Sequence, residues 1–140
     1  MISSGNVKHP KMIQFPKMGD PTIGYISPAE KNDLPFVVKR IYWTYFTPEN
    51  VERGGHSHIN LEQILIAVSG IITIYTEMPG GVKASFVLDT PFIGVHLPKL
   101  CWREMKYSHN AVQICFASLE YDEKDYIRNY EDFKLLRLSQ

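Results

Sequence analysis

From Thr22 to Leu119 the chain is a succession of short runs rich in β-branched and aromatic residues, each ended by Pro, Gly or Asn/Asp. "TIGYIS" (22–27) comes first, then "FVVKRIYWTYF" (36–46). "EQILIAVS" and "IITIYTE" flank Gly70, and "MPGGVK" reads as a hairpin turn leading into "ASFVLD". "FIGVHL", "CWREMK" and "AVQICFASL" follow. The end changes character. In "YDEKDYIRNYEDFKLLRL" the residues Tyr126, Ile127, Tyr130, Phe133 and Leu136 recur at helical spacing, with acids early and bases late, which predicts a terminal helix. Many short strands closed by one helix define an all-β sandwich or small barrel, which encloses a pocket wherever side chains leave its interior unfilled.

At 140 residues the chain fits one domain spanning 1–140, and 44% apolar content supplies a core. Fifteen basic and fifteen acidic residues cancel, which argues against a nucleic-acid partner. A small anionic ligand needs only a few local arginines and stays open. No run is long enough for a membrane span, and the N-terminal "MISSGNVKHPKMIQF" has no apolar signal region. Two cysteines make no disulfide framework, Cys115 reads as a core residue, and a reducing cytoplasm is the expected compartment.

His56 and His58 stand just before the most apolar run. On a strand, residues i and i+2 share a face, so both rings look into one space, the expected barrel interior. Three readings compete: metal ligands, acid/base groups, or polar side chains at a strand entrance. The spacing resembles the first cupin motif, but Gln63 stands where metal cupins place a Glu, and Glu62 should face the other way. Counting from Pro98, the ligand position of the second motif falls on Arg103. A cation there opposes metal binding, and a metal site needs three or more protein ligands. The expectation is no metal and no cofactor. His96 or His109 could in principle complete a ligand set.

Taken together, "KRIYWTY", "RGGHSH", "EQILIAVSG", "LPKLCWREM" and "ASLEYDEKDYIRNYEDF" resemble the dTDP-4-keto-6-deoxyglucose 3,4-ketoisomerases, small cupins of sugar-nucleotide metabolism. The likeness runs from about Phe36 to Phe133. It implies a cupin-type jelly roll with a short C-terminal α-helix, a metal-free site, a dTDP-linked 4-keto-6-deoxy sugar as substrate, and a homodimer with exchanged N-terminal strands. It also implies that the His-x-His pair supplies the base. His58, deeper along the strand, is the first choice and His56 the second.

The remaining candidates come from the chemistry. Tyr45 or Tyr42 could hydrogen-bond a sugar oxygen; their parity makes them face opposite ways, and the sequence does not choose between them. Arg53, Arg103 and Arg40 could grip the diphosphate, Gln63 lies beside the site, and Trp102 could stack on thymine. The rival readings are a metal-dependent cupin enzyme and a non-catalytic sugar-binding cupin module.

Overall fold

The computed structural model describes residues 8–136 and, for backbone only, Ile2–Ser3 and Leu138–Ser139. Two five-stranded antiparallel sheets face each other. The first runs β2 (Lys11–Gln14), β10 (Ile93–Leu97), β7 (Gln63–Ser69), β12 (Val112–Ala117), β5 (Arg40–Tyr45). The second runs β13 (Tyr126–Ile127), β6 (Glu52–His58), β11 (Trp102–Tyr107), β8 (Ile72–Glu77), β9 (Lys83–Leu88). Two small pairs complete the chain: β3 (Met18–Asp20) with β4 (Gly24–Ile26), and β1 (Ile2–Ser3) parallel to β14 (Leu138–Ser139). This is the expected jelly roll. Among the described residues no helix is long and apolar enough to cross a membrane.

The main core lies between the sheets. Leu65 and Ala67 of β7, Val95 and Leu97 of β10 and Cys115 of β12 meet Ile72 and Ile74 of β8, Leu88 of β9 and Met105 of β11. Cys101 and Cys115 are free, buried thiols. The two sides of β7 do different work. Leu65 faces inward, while Ile64 and Ile66 form a second cluster with Phe15 on the outer face of the first sheet. Gln63 and Glu62 part in the same way, as their parity requires. Glu62 pairs outward with His96, Oε1 to Nε2 at 2.9 Å, so His96 is an outer-face residue. The outer face of β5 is uncovered: Trp43 is 62% exposed, with Ile41 and Tyr45 beside it.

The terminal helix is shorter than its periodicity predicts. α1 covers only Tyr130–Lys134, where the Asn129 side chain accepts the Asp132 N–H and Phe133 docks on Trp102. Ahead of it a single 3₁₀ turn spans Glu123–Asp125, and Tyr126–Ile127 form strand β13 against His58 and Ser57. The open edge of β6 offers backbone partners that an isolated helix would forgo, so tertiary pairing overrides local helical spacing.

Candidate functional site

The histidine strand carries a bulge. Opposite β11, Arg53 pairs with Met105, Gly54 with Glu104, and His56 with Arg103, so Gly55 is an extra residue. Both glycines lie at positive φ, +88° and +69°. In an unbroken strand Arg53 and His56 would point to opposite faces. The extra residue resets the parity, and both line one pocket of about 370 Å³. At Gly54 nothing larger fits: a Cβ would meet the Arg103 carbonyl oxygen at 2.7 Å.

Buried Tyr107, Gln113 and Met105 form the inner part of this pocket, with the Tyr107 hydroxyl donating to Gln113 at 2.8 Å. Tyr42, His56 and Tyr126 wall it, and Arg40, Arg53 and Arg128 supply the positive charge. Arg40 lies 4.6 Å over the Tyr42 ring, and Arg128 lies 4.1 Å over Tyr126 while donating to Glu123 through Nε and Nη2. Among the described residues neither Arg40 nor Arg53 has a carboxylate within ion-pair reach. Three guanidiniums and a single paired acid make an anion-binding mouth.

The two histidines are not equivalent. His56 lines the pocket, whereas His58 is fully buried behind it. Their rings meet edge-on at 4.8 Å, and Tyr126 contacts both. Burial, reinforced by the nearby Arg103 charge, pushes His56 down to about 4 and His58 to about 2. Both are neutral at pH 7, and His56, which meets the pocket, is the one placed to accept a proton. Burial also drives the Tyr42 phenol well above its usual value, so its hydroxyl stays protonated.

Several expected site residues land elsewhere. Arg103 is a pillar of the interior and lies off the pocket surface. It is 1% exposed, donates to the Gln63 side chain, and places Nε and Nη2 3.1 and 3.0 Å from the Cys101 carbonyl oxygen. Gln63 in turn donates to the Tyr42 hydroxyl at 3.0 Å. The two positions that hold ligands in metal cupins are thus bonded to each other, and among the described residues no three His, Cys, Asp or Glu side chains gather to hold a metal. Tyr45 is turned out of the site by the parity that turns Tyr42 in, and is 55% exposed. Trp102 faces away from Arg103, under α1, in contact with Tyr130 and Phe133. His58, first choice as the base, has no face on the pocket; His56 does.

Sequence reading missed Arg128, Tyr126, Tyr107 and Gln113. The first two sit in "YDEKDYIRNY", a stretch distinctive enough to be noticed but read as helix. Tyr107 and Gln113 carry no signal beyond strand alternation.

A family described as "FdtA: WxcM-like, C-terminal" matches residues 8–137. The TDP-4-oxo-6-deoxy-alpha-D-glucose-3,4-oxoisomerase of Aneurinibacillus thermoaerophilus is 34% identical over 125 residues, 89% of each chain. The 3,4-ketoisomerase QdtA of Thermoanaerobacterium thermosaccharolyticum, solved in complex with TDP, is 34% identical with a TM-score of 0.85, over 90% of this chain and 92% of its own. The WlaRB TDP-quinovose 3,4-ketoisomerase of Campylobacter jejuni is 37% identical with a TM-score of 0.85, over 91% of this chain and 98% of its own. With the fold, the histidine pair and the arginine-lined mouth all in place across this span, the chain belongs to the FdtA family of sugar-nucleotide 3,4-ketoisomerases.

Proposed function

We propose that this protein moves the keto group of a dTDP-4-keto-6-deoxyhexose from C4 to C3, with His56 as the proton-transfer base. The observation that carries the reading is a neutral histidine exposed to an arginine-lined pocket, with a second histidine packed against its edge. His56 removes the C3 proton, which the C4 carbonyl acidifies. The C–H electrons form the C3–C4 double bond, and O4 takes a proton, giving an enediol. The O3 hydroxyl then loses its proton, the C3 carbonyl forms, and C4 is protonated. Atoms and charge balance without a redox cofactor. Tyr42, held by Gln63, offers a hydroxyl to a sugar oxygen. Arg40, Arg53 and Arg128 neutralise the diphosphate. Two buried free thiols fit a reducing compartment, the cytoplasm.

Turnover in deuterated water tests this. Deuterium should appear at C4 of the 3-keto product and, on reversal, at C3 of recovered substrate. His56→Asn should lower kcat by about 100- to 10,000-fold, the usual contribution of a general base, while TDP affinity stays near wild type. Wild-type turnover in both His56→Asn and His58→Asn would remove the pair from the chemistry.

The uncovered Ile41–Trp43–Tyr45 face supports the homodimer that the family resemblance implies; the exchange of N-terminal strands rests on the resemblance alone, since β2 pairs here with β10 of its own chain. Light scattering should then give about twice 16.1 kDa; a monomer at micromolar concentration would refute it.

A further inference from the structure

His58 has an unresolved need. Its ring is completely shut off from solvent, and neither Nδ1 nor Nε2 has a hydrogen-bond partner. A neutral imidazole carries one N–H, and a buried donor without an acceptor costs about 1–3 kcal/mol. At this burial no bulk water reaches the ring. The group facing Nδ1 is the Asp125 carboxylate, with Oδ2 at 3.6 Å. That is longer than a hydrogen bond, as catalytic contacts in unliganded sites often are before they tighten.

Asp125 is itself fixed. It is 7% exposed, its Oδ1 accepts the Asn60 N–H at 2.8 Å and its Oδ2 the Leu61 N–H at 3.0 Å. Its carbonyl oxygen accepts the Ile59 N–H at 2.9 Å, and the next residue, Tyr126, pairs with His58 itself. The carboxylate is therefore anchored to the strand end that carries the histidine. With the Nδ1–H tautomer a donor faces the carboxylate. With the Nε2–H tautomer a nitrogen lone pair faces it, and the two repel.

We propose that Asp125 is a positioning residue that holds His58 as the Nδ1–H tautomer and leaves the Nε2 lone pair free on the buried side of the site. This rests on the reading of the His56/His58 pair as the proton-transfer pair and extends it. When His56 takes up the C3 proton it becomes cationic beside the buried Arg103 charge, which opposes it. A carboxylate behind the neighbouring imidazole opposes that field and orients the ring His56 leans on. Asp125 thus faces His58, His58 packs against His56, and His56 meets the pocket.

The test is long-range proton–nitrogen NMR on protein labelled with ¹⁵N at histidine, without substrate at neutral pH, with the His58 signals identified by their loss in His58→Asn. Nδ1 should be protonated and Nε2 unprotonated in the wild-type enzyme. Asp125→Asn keeps one acceptor oxygen for the Asn60 and Leu61 amides in place of two, sets an NH2 group at the other position, and removes the charge. It should shift His58 toward the other tautomer and lower kcat about 10- to 100-fold with KM little changed, the usual effect of losing a partner that orients a histidine. A wild-type His58 in the Nε2–H form overturns the proposal. So does an Asp125→Asn enzyme with unchanged tautomer and kcat, which would leave Asp125 as a cap for residues 60 and 61. If Asp125→Asn fails to fold, the wild-type tautomer alone decides. The NMR readout needs no turnover, so it stays separate from a failure of the His→Asn variants to lose activity.

Discussion

Substituting Gly54 by alanine tests whether the bulge in β6 builds the site. Two penalties apply. An L-residue in the left-handed region costs about 1–2 kcal/mol, and Gly54 sits at φ +88°. The added Cβ would also lie 2.7 Å from the Arg103 carbonyl oxygen and 3.2 Å from Met105 Sδ. Backbone cannot yield as a flexible side chain does, so overpacking adds about 1–3 kcal/mol. The sum is about 2–5 kcal/mol. Gly55→Ala is the internal control: its φ is +69°, but its Cβ would meet nothing within 4 Å. It carries only the conformational penalty, about 1–2 kcal/mol. Both variants gain alike from a stiffer unfolded chain, so that gain cancels in the comparison. Urea denaturation with unchanged m should rank Gly54→Ala below Gly55→Ala by about 1–3 kcal/mol. The functional effect should run further. If the strand escapes the clash by losing the bulge, Arg53 and His56 return to opposite faces and kcat/KM falls for Gly54→Ala while Gly55→Ala stays near wild type. Equal stability and equal turnover in the two variants would refute the claim that the bulge aligns Arg53 with His56.

Arg103→Met should leave TDP affinity unchanged by calorimetry but lower stability by about 2–6 kcal/mol, because Gln63 and the Cys101 carbonyl lose a buried donor. Arg53→Ala should weaken TDP binding by about 1.5–3 kcal/mol with the fold intact; the reverse pattern would return Arg103 to the phosphate site. Because His56 and His58 have folded pKa values below the unfolded value of about 6.5, the unfolded chain binds more protons in acid. Their contribution to stability is complete above about pH 6.5 and is lost as pH falls toward 4 and below. Thermal midpoints should drop through that window, and His58→Asn should flatten the drop. In the same range kcat/KM should stay level at neutral pH and fall through about pH 4 as His56 protonates; an acid limb near 6.5 that persists in wild type and vanishes in His56→Asn would mean that burial does not depress His56, and a limb unchanged in His56→Asn would mean that another group is the base.

The architecture was legible because strand runs and turn residues are local signals: nearly every run read from Phe36 to Leu119 is a strand or the flank of one. Parity along β5 and β7 was equally local. It separated Gln63 from Glu62 and Tyr42 from Tyr45, although nothing local said which of each pair faces inward. The sandwich core decided that, turning Tyr42 into the pocket and Tyr45 to the surface. The bulge escaped because "RGGHSH" shows its glycines but not the partner strand whose register makes one of them extra. The short terminal helix escaped for a related reason. Tyr126 and Ile127 open the helically spaced run, yet they lie against the open edge of β6, and pairing with His58 and Ser57, residues 68 and 70 positions away in sequence, outweighs a periodicity visible over a few turns. That pairing brings Asp125, Tyr126 and Arg128 to the histidines. Residue chemistry is written in the chain one position at a time. Which histidine meets the pocket, which arginine is sealed inside, and which acid stands behind the buried ring depend on strands meeting in space, where packing sets exposure and exposure sets the protonation state.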